Sequence, residues 1–336
     1  MTARARATVV GATLALAIAG AAPVDAYLKL GFRVGTRTVS LKWNRFPIRY
    51  FVTNRDVPGV NAAQLRSAVD RAFGTWQAVP SGGVSSQFVG FTSAQPYEDD
   101  GMTVLGFQDR PDLDWVLGAT TFLVDTRTGE IVESDIFFNA TFPWSVATGG
   151  ESGRVDLESI AVHEIGHLLG LGHSALGETE LLAGGGRRVI AAEAVMFPIA
   201  YSRGNIEDRA LKADDIAGLS DIYAADNFRT RTGSISGRVT RTGRGVYGAH
   251  VVAFNLQSGA MVGGFSLEDD GSFVIAGLTP GVHVVRVEPL DDGDLDSFFD
   301  DTASVGVDFA VSFLNRLAMV PAGGAPPRVE IAVRPK

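Results

Sequence analysis

Apolar side chains recur at helical spacing in three segments of the first two-thirds of the chain, about 61–78, 157–169 and 212–224. In the first segment, the apolar residues of one face are Leu65, Val69, Phe73 and Trp76. Asp156 precedes the second segment and is a suitable N-cap. Runs rich in strand-forming residues lie between the helices, at 47–52, 104–107, 119–124 and 131–138. This alternation predicts an α+β domain over 41–229.

Beyond residue 230 the pattern changes to short strands separated by turns. The predicted strands are 235–239, 251–254, 272–275 and 282–287. Asp270-Gly271 and Pro280-Gly281 supply the residues that tight connections need. We therefore predict a separate all-β sandwich over 234–336, joined to the first domain by a polar linker near 226–233.

An acidic segment at 291–301 has two interpretations. It begins with Asp291-Asp292-Gly293-Asp294, a run that suggests calcium binding. The glutamate and the spacing of a calcium-binding loop are missing, however. Solvated surface is the favoured interpretation, and calcium stays an alternative without a supporting motif.

The first 26 residues have the pattern of an export signal. Arg4 and Arg6 precede an apolar run at 7–22, and Val24-Asp25-Ala26 fits a cleavage site between small residues. A membrane anchor is the alternative, but the run is shorter than the roughly 20 residues that a span needs. We predict a signal peptide at 1–26, a short extension at 27–40, and a protein that is secreted or held in the cell envelope, without membrane contact after cleavage.

Composition narrows the function classes. The chain has 336 residues, enough for two domains, and no cysteine, which excludes disulfides and a thiol nucleophile. Its net charge is −9, and no cluster of Lys and Arg offsets it, so a nucleic-acid partner is not expected. We expect a monomer that acts on protein or peptide.

Three of the five histidines lie in one short stretch, His163-Glu164-Ile165-Gly166-His167 followed by His173. On a helix, His163 and His167 are four residues apart and project from one face. Gly170 can take the positive φ that ends a helix, which lets the chain return His173 to the same place. The sequence thus predicts three imidazoles around one metal ion, rather than unrelated core or surface histidines.

The donor set indicates one catalytic zinc ion. Three imidazoles leave the fourth tetrahedral position of zinc open, as in catalytic rather than structural sites. Glu164 is not needed as a ligand, and it can take a proton from a water that attacks a carbonyl group. The remaining histidines, His250 and His283, lie apart in strand-like runs and are expected to be structural.

The extended motif, with Ser174 after the last histidine, resembles the matrixin branch of the metzincin zinc peptidases. The segment 194–198 is similar to the family's Met-turn, which implies that Met196 lies beneath the metal. Asp214 and Asp215 resemble paired aspartates that brace the site from behind, although alone they would be a solvated helix start. The resemblance implies a zincin-like fold with a twisted mixed sheet and three helices, and a substrate strand added at the edge 117–121.

Two features depart from that family. The chain has no cysteine, so latency through a propeptide cysteine is not expected. His173 and Met196 are separated by 22 residues, 174–195, and this longer segment is expected either to border the specificity pocket or to be an ordinary flexible loop. The C-terminal region resembles the carboxypeptidase regulatory-like sandwich, which implies an accessory domain without catalytic residues.

These observations predict a secreted zinc metalloendopeptidase with Glu164 as its base and His163, His167 and His173 as its ligands. One alternative is a non-catalytic exported adhesion protein with an inert metal domain, which would not need Glu164. The other is a zinc amidohydrolase that acts on short peptides or non-peptide amides.

Overall fold

The computed structural model describes residues 4–10, 28–34, 37–183, 186–225, 227–299, 304–324 and 326–336. Of the predicted signal peptide, only 4–10 fall within these ranges, and the remainder of that prediction lies outside them. No helix in the described ranges is both long and apolar enough to cross a bilayer.

The helices are α1 (Ala62–Gln77), α2 (Leu157–Leu168), α3 (Ala213–Ile222) and α4 (Phe228–Arg231), with 3₁₀ turns at Glu207–Arg209 and Leu295–Ser297. The strands of the first region are β1 (Arg4–Val10), β2 (Gly31–Val34), β3 (Arg37–Ser40), β4 (Ile48–Thr53), β5 (Ser86–Thr92), β6 (Thr103–Gln108), β7 (Gly118–Asp125), β8 (Ile131–Asn139), β9 (Trp144–Ser145), β10 (Val155–Asp156), β11 (Gly177–Leu181) and β12 (Arg187–Ala192). The strands of the second region are β13 (Gly233–Arg241), β14 (Arg244–Gly245), β15 (His250–Asn255), β16 (Met261–Phe265), β17 (Ser272–Leu278), β18 (Gly281–Glu288), β19 (Ser312–Phe313), β20 (Ala318–Val320) and β21 (Arg328–Val333).

The first region is built on a mixed sheet with strand order β1-β7-β8-β6-β4-β5. Strands β5, β4, β6 and β8 are parallel to one another, whereas β7 runs antiparallel to β8. The short strand β1 pairs antiparallel with the outer edge of β7, with Arg4 opposite Asp125 and Val10 opposite Ala119. The α+β prediction is confirmed.

Helices α1 and α2 pack against each other and against this sheet. Asn61 and Gln64 form a capping box that starts α1, and the buried face of the helix carries the four predicted apolar residues. The indole Nε1 of Trp76 donates to the carbonyl oxygen of Val162 at 2.8 Å, which ties α1 to α2. Because α2 is fixed in the core, the side chains on its open face have fixed positions.

Two segments predicted to lack regular structure contain some. The extension 27–40 holds the hairpin β2–β3, and the amide of Leu30 donates to the carbonyl oxygen of Gly170 at 2.9 Å. The predicted polar linker holds α4, whose Phe228 is buried against the neighbouring regions. Both were missed because their order depends on contacts with distant parts of the chain.

The second region contains two sheets. One has the order β14-β13-β17, with β21 also paired to β13, and the other has the order β16-β15-β18-β19, with β20 also paired to β18. Buried side chains of both sheets belong to the same cluster as the core of the first region. The region is therefore β-rich, as predicted, and its apolar core is continuous with that of the α+β region.

Candidate metal centre

Helix α2 is anchored at both ends. The carboxylate of Asp156 accepts hydrogen bonds from the amide and the hydroxyl of Ser159 and pairs with Arg209, so the predicted N-cap is confirmed. After the helix, Gly170 has φ +95°, and a Cβ there would lie 2.4 Å from the carbonyl oxygen of Leu41. Only glycine fits this turn, which redirects the chain toward His173.

The structure brings the three predicted ligands together. One nitrogen from each of His163, His167 and His173 lies within 4.8 Å of the other two. The Nε2 atoms of His167 and His173 are 3.2 Å apart. Two nitrogens bound to a tetrahedral zinc would be roughly 3.3–3.4 Å apart. The residues present therefore fit a zinc ion.

The other ring nitrogen of each histidine faces a backbone carbonyl. Nδ1 of His163 lies 2.7 Å from the oxygen of Val195, and Nδ1 of His167 lies 2.8 Å from that of Leu171. Nδ1 of His173 lies 2.6 Å from the oxygen of Ser297, a residue of the second region. A proton on each Nδ1 satisfies these carbonyls and directs the Nε2 lone pairs to a common point.

Burial keeps the cluster neutral. Desolvation lowers the pKa of His163, and it lowers the pKa of His173 to about 3. Desolvation also lowers the pKa of His167 well below its usual value, and the charges of its two histidine neighbours would oppose protonation as well. Neutral imidazole is the form that binds a metal ion.

Glu164 is buried next to the ligands, with 2% of its surface exposed. The Oγ1 of Thr120 lies 2.8 Å from its Oε2 and donates to it, while a Cβ at Gly118 would lie only 3.0 Å from its Oε1. Burial raises the pKa of Glu164 to about 8. A cation at the imidazoles would favour the ionised carboxylate and oppose this shift.

Met196 and the two aspartates are buried close to α2 and to the segment that supports His163. Met196 is buried, and a Cβ at Gly166 would lie 2.2 Å from its Sδ, so helix and methionine are in close contact. The carboxylate of Asp215 accepts from the amides of Val195 and Met196, at 2.9 and 3.2 Å. Asp214 accepts from the amide of Gly263 at 2.9 Å. Both aspartates are buried, so a solvated helix start is the wrong interpretation for them.

A cavity of about 370 Å³ opens beside the cluster. It is bordered by His163 and Glu164 and extends along the first turns of α2 to Asp156. Its walls are largely apolar, and they include Leu117, Val155, Ile160, Phe197 and Tyr201. The cavity offers room for a side chain next to His163 and Glu164.

The segment between His173 and Met196 is ordered in a way that was not predicted. Residues 177–181 and 187–192 form the hairpin β11–β12, which does not line the cavity, whereas Val195 at the end of the segment does. The hairpin instead contacts the acidic loop, residues 291–299: the amide of Thr179 donates to Asp292 at 2.7 Å. The acidic loop is consequently not only solvated surface, since Phe298 and Phe299 are also buried.

The two remaining histidines have structural surroundings, as predicted. Both side chains are buried within the β-rich region. Nδ1 of His250 lies 2.9 Å from Glu288, and Nε2 of His283 lies 3.3 Å from the side-chain amide of Asn255. Neither belongs to the three-histidine cluster, and that cluster is the one group of metal-binding geometry in the described ranges.

Comparison with known proteins gives one family. Residues 42–183 match the model of the matrixin family. Metalloendoproteinase 2-MMP of Arabidopsis thaliana is 30% identical over 180 residues, which cover 50% of this chain and 40% of the relative. Matrix metalloproteinase-16 of Rattus norvegicus is 29% identical over 188 residues, 54% of this chain and 27% of the relative. Stromelysin-1 of Mus musculus is 26% identical over 185 residues, which cover 55% of this chain and 33% of the relative.

Each of these matches spans less than half the length of the relative. The matched residues 42–183 contain the three histidines and Glu164, but they end before Met196 and the paired aspartates. Sequence reasoning missed Thr120 and Ser297. Neither lies in a recognisable motif, and only the folded chain brings them to the cluster.

Proposed function

We propose that the whole protein is a zinc-dependent metalloendopeptidase that hydrolyses internal peptide bonds, because residues 42–183 match the model of the matrixin family and metalloproteinases are among the similar proteins. The observation that carries the proposal is the convergence of three neutral imidazoles beside a buried carboxylate. A cavity for a substrate side chain begins at the same point. A protein that only stored metal would need neither the carboxylate nor the cavity.

The proposed roles follow from the positions of the side chains. When bound, a zinc ion supplies Lewis acidity at the open side of the three imidazoles. Thr120 holds Oε2 of Glu164, and among the described residues Oε1 accepts no hydrogen bond. Oε1 is therefore the atom proposed to take a proton from the attacking water and to pass it to the nitrogen of the leaving amine. The apolar walls of the cavity exclude water from this proton transfer.

The substrate is proposed to be an extended polypeptide. Strand β7 lies beside Glu164, since Thr120 and Gly118 both contact that residue. Its outer edge accepts another strand, as the pairing with β1 illustrates. A substrate backbone paired there would run past the carboxylate, and main-chain hydrogen bonds would give affinity without strong dependence on sequence.

We also propose export of the protein. The signal pattern at 1–26 is the observation that supports it. Cleavage after Ala26 would remove β1 and leave the edge of β7 open to substrate. Mass spectrometry of the protein recovered from the medium of expressing cells would give the first residue of the mature chain.

Digestion of a denatured protein by the purified enzyme tests the main proposal. Cleavage at internal bonds should stop on chelation and return with zinc. Glu164→Gln should lower the rate by about 10²- to 10⁴-fold while zinc stays bound in a 1:1 ratio. Glu193→Gln, an exposed glutamate of the same region, is the matched control and should leave the rate unchanged.

Three results would contradict the proposal. Cleavage that survives Glu164→Gln or chelation would indicate a different protease in the preparation or another mechanism. A folded protein with bound zinc that cleaves no polypeptide would favour the adhesion role. Turnover of short amides alone would favour the amidohydrolase.

A further inference from the structure

We propose that the acidic loop, residues 291–299 of the β-rich region, is part of the metal centre and sets its affinity for zinc. Ser297 and Phe298 are the positioning residues, and they act through His173. The inference depends on zinc binding by the three imidazoles, and it does not depend on peptide hydrolysis.

The contact between the loop and the ligand is direct. The carbonyl oxygen of Ser297 lies 2.6 Å from Nδ1 of His173. The ring of Phe298 meets the imidazole edge to face, with centroids 6.4 Å apart and planes at 78°. The contact with the Ser297 carbonyl fixes which nitrogen of His173 carries the proton, and the contact with Phe298 limits rotation of the imidazole ring.

Neither of the other two ligands depends on the β-rich region in this way. Val195, which supports His163, and Leu171, which supports His167, belong to the α+β region. His173 is separated from its carbonyl partner by 124 residues. The third ligand is therefore held by a part of the chain outside the residues 42–183 that match the matrixin model.

The loop is itself anchored on two sides. Toward the α+β region, Thr179 donates to Asp292 through its amide at 2.7 Å and through its hydroxyl at 2.9 Å, and Arg187 donates to the carbonyl oxygen of Asp291 at 2.8 Å. Toward the β-rich region, Phe298 and Phe299 pack on Phe265, with centroid distances of 6.0 and 5.4 Å. These contacts hold the Ser297 carbonyl in place.

A metal-binding histidine loses affinity when the partner of its second nitrogen is removed, typically by about 10- to 100-fold. Since the partner here is a backbone carbonyl, it can be displaced only by loosening the loop. Phe298→Ala does this at the adjacent residue. We expect it to weaken zinc binding by about 10-fold or more, and Phe298→Leu, which keeps apolar bulk, to recover most of the loss.

The experiment measures zinc affinity by competition with a chromophoric chelator, on the full chain, together with thermal unfolding of each variant. Phe273→Ala is the matched control, because Phe273 is buried in the same region but belongs to a different hydrophobic cluster from Phe298 and Phe299. It should lower the melting temperature and leave the zinc affinity unchanged.

A milder pair of variants covers the case in which Phe298→Ala does not fold. Asp292→Ala removes the carboxylate that accepts from the Thr179 amide, whereas Asp294→Ala changes a side chain that is 77% exposed and lies 3.8 Å from Arg187. Only the first should weaken zinc binding.

Equal zinc affinity in wild type, Phe298→Ala and Asp292→Ala would overturn the inference, as would an equal loss in Phe273→Ala. If the wild-type protein itself binds no stoichiometric zinc, the proposed function fails instead. The two failures are therefore distinguishable.

Discussion

His163 and His167 project from helix α2, whereas His173 lies beyond the end of that helix, after the turn at Gly170. The first two of these proposed ligands are positioned by a helix that is packed in the core of the α+β region. The third depends on a turn, on a carbonyl group and on an aromatic ring from the β-rich region. A single metal centre thus combines a rigid side with a side assembled from two regions of the chain.

This difference shows which part of the centre should respond to a change. A helix in a continuous core moves only if the core moves, because interiors are densely packed. A loop held by a few hydrogen bonds and two aromatic rings can open locally at a lower cost. The His173 side is therefore expected to be the first part of the centre to lose order.

The largest effect should come from removal of the metal. Zinc at 1,000 times its dissociation constant should stabilise the fold by about 4 kcal/mol, and chelation should remove this contribution. Hydrogen exchange measured by mass spectrometry should then increase more in the acidic loop than in α2. An equal increase in both would show that the two sides of the centre form one cooperative unit.

The next effect concerns the support of His163. Asp215→Ala would leave the buried amides of Val195 and Met196 and the partly buried amide of Lys212 without their acceptor. We expect the free energy of unfolding to fall by about 3 kcal/mol in urea denaturation. Asp215→Asn keeps one acceptor oxygen and should lose less. If Asp215→Ala had the same free energy of unfolding as wild type, Asp215 would not be the residue that holds the Val195 carbonyl toward His163.

The smallest effect is a pH dependence at the junction of the two regions. Burial, and then the charge of Asp215, raise the pKa of Asp214 to about 7. A pKa above the unfolded value means that protonated Asp214 stabilises the fold at low pH, and this contribution is lost as the pH rises through about 7. Between pH 5 and 8, the free energy of unfolding of metal-free wild type should therefore fall by about 2 kcal/mol more than that of metal-free Asp214→Asn.

That comparison uses chelated protein so that zinc release at low pH does not contribute. Titration of the buried histidines has the opposite sign, but it is common to both proteins and cancels in the difference. Parallel stability curves for wild type and Asp214→Asn would refute the expectation.

The rigid side could be predicted from the sequence. Helix α2, its N-cap Asp156, the ligands His163 and His167, and Glu164 follow from a helical period and a short motif. The position of His173 followed from Gly170, because only glycine readily adopts the backbone conformation of that turn. These features depend on residues close together in the chain, where spacing determines geometry.

The assembled side could not be predicted. Ser297 contributes a backbone carbonyl, which every residue type has, so no pattern marks it. The acidic composition of its loop favoured the interpretation as solvated surface. Phe298 and Phe299, at the end of that loop, are nevertheless buried. The hairpin β11–β12 was similarly open to interpretation, since its contact with Asp292 links residues 113 positions apart. Such contacts are decided by the tertiary fold alone.

The separation of His173 from Ser297 also has a consequence for biosynthesis. A ribosome adds about 5–20 residues per second, so the 124 residues between them take roughly 6–25 s to make. During that interval a nascent chain already has all three histidines and Glu164, but the last imidazole has no carbonyl partner. Translation order alone delays completion of the metal centre until the 124 residues after His173 have been synthesised.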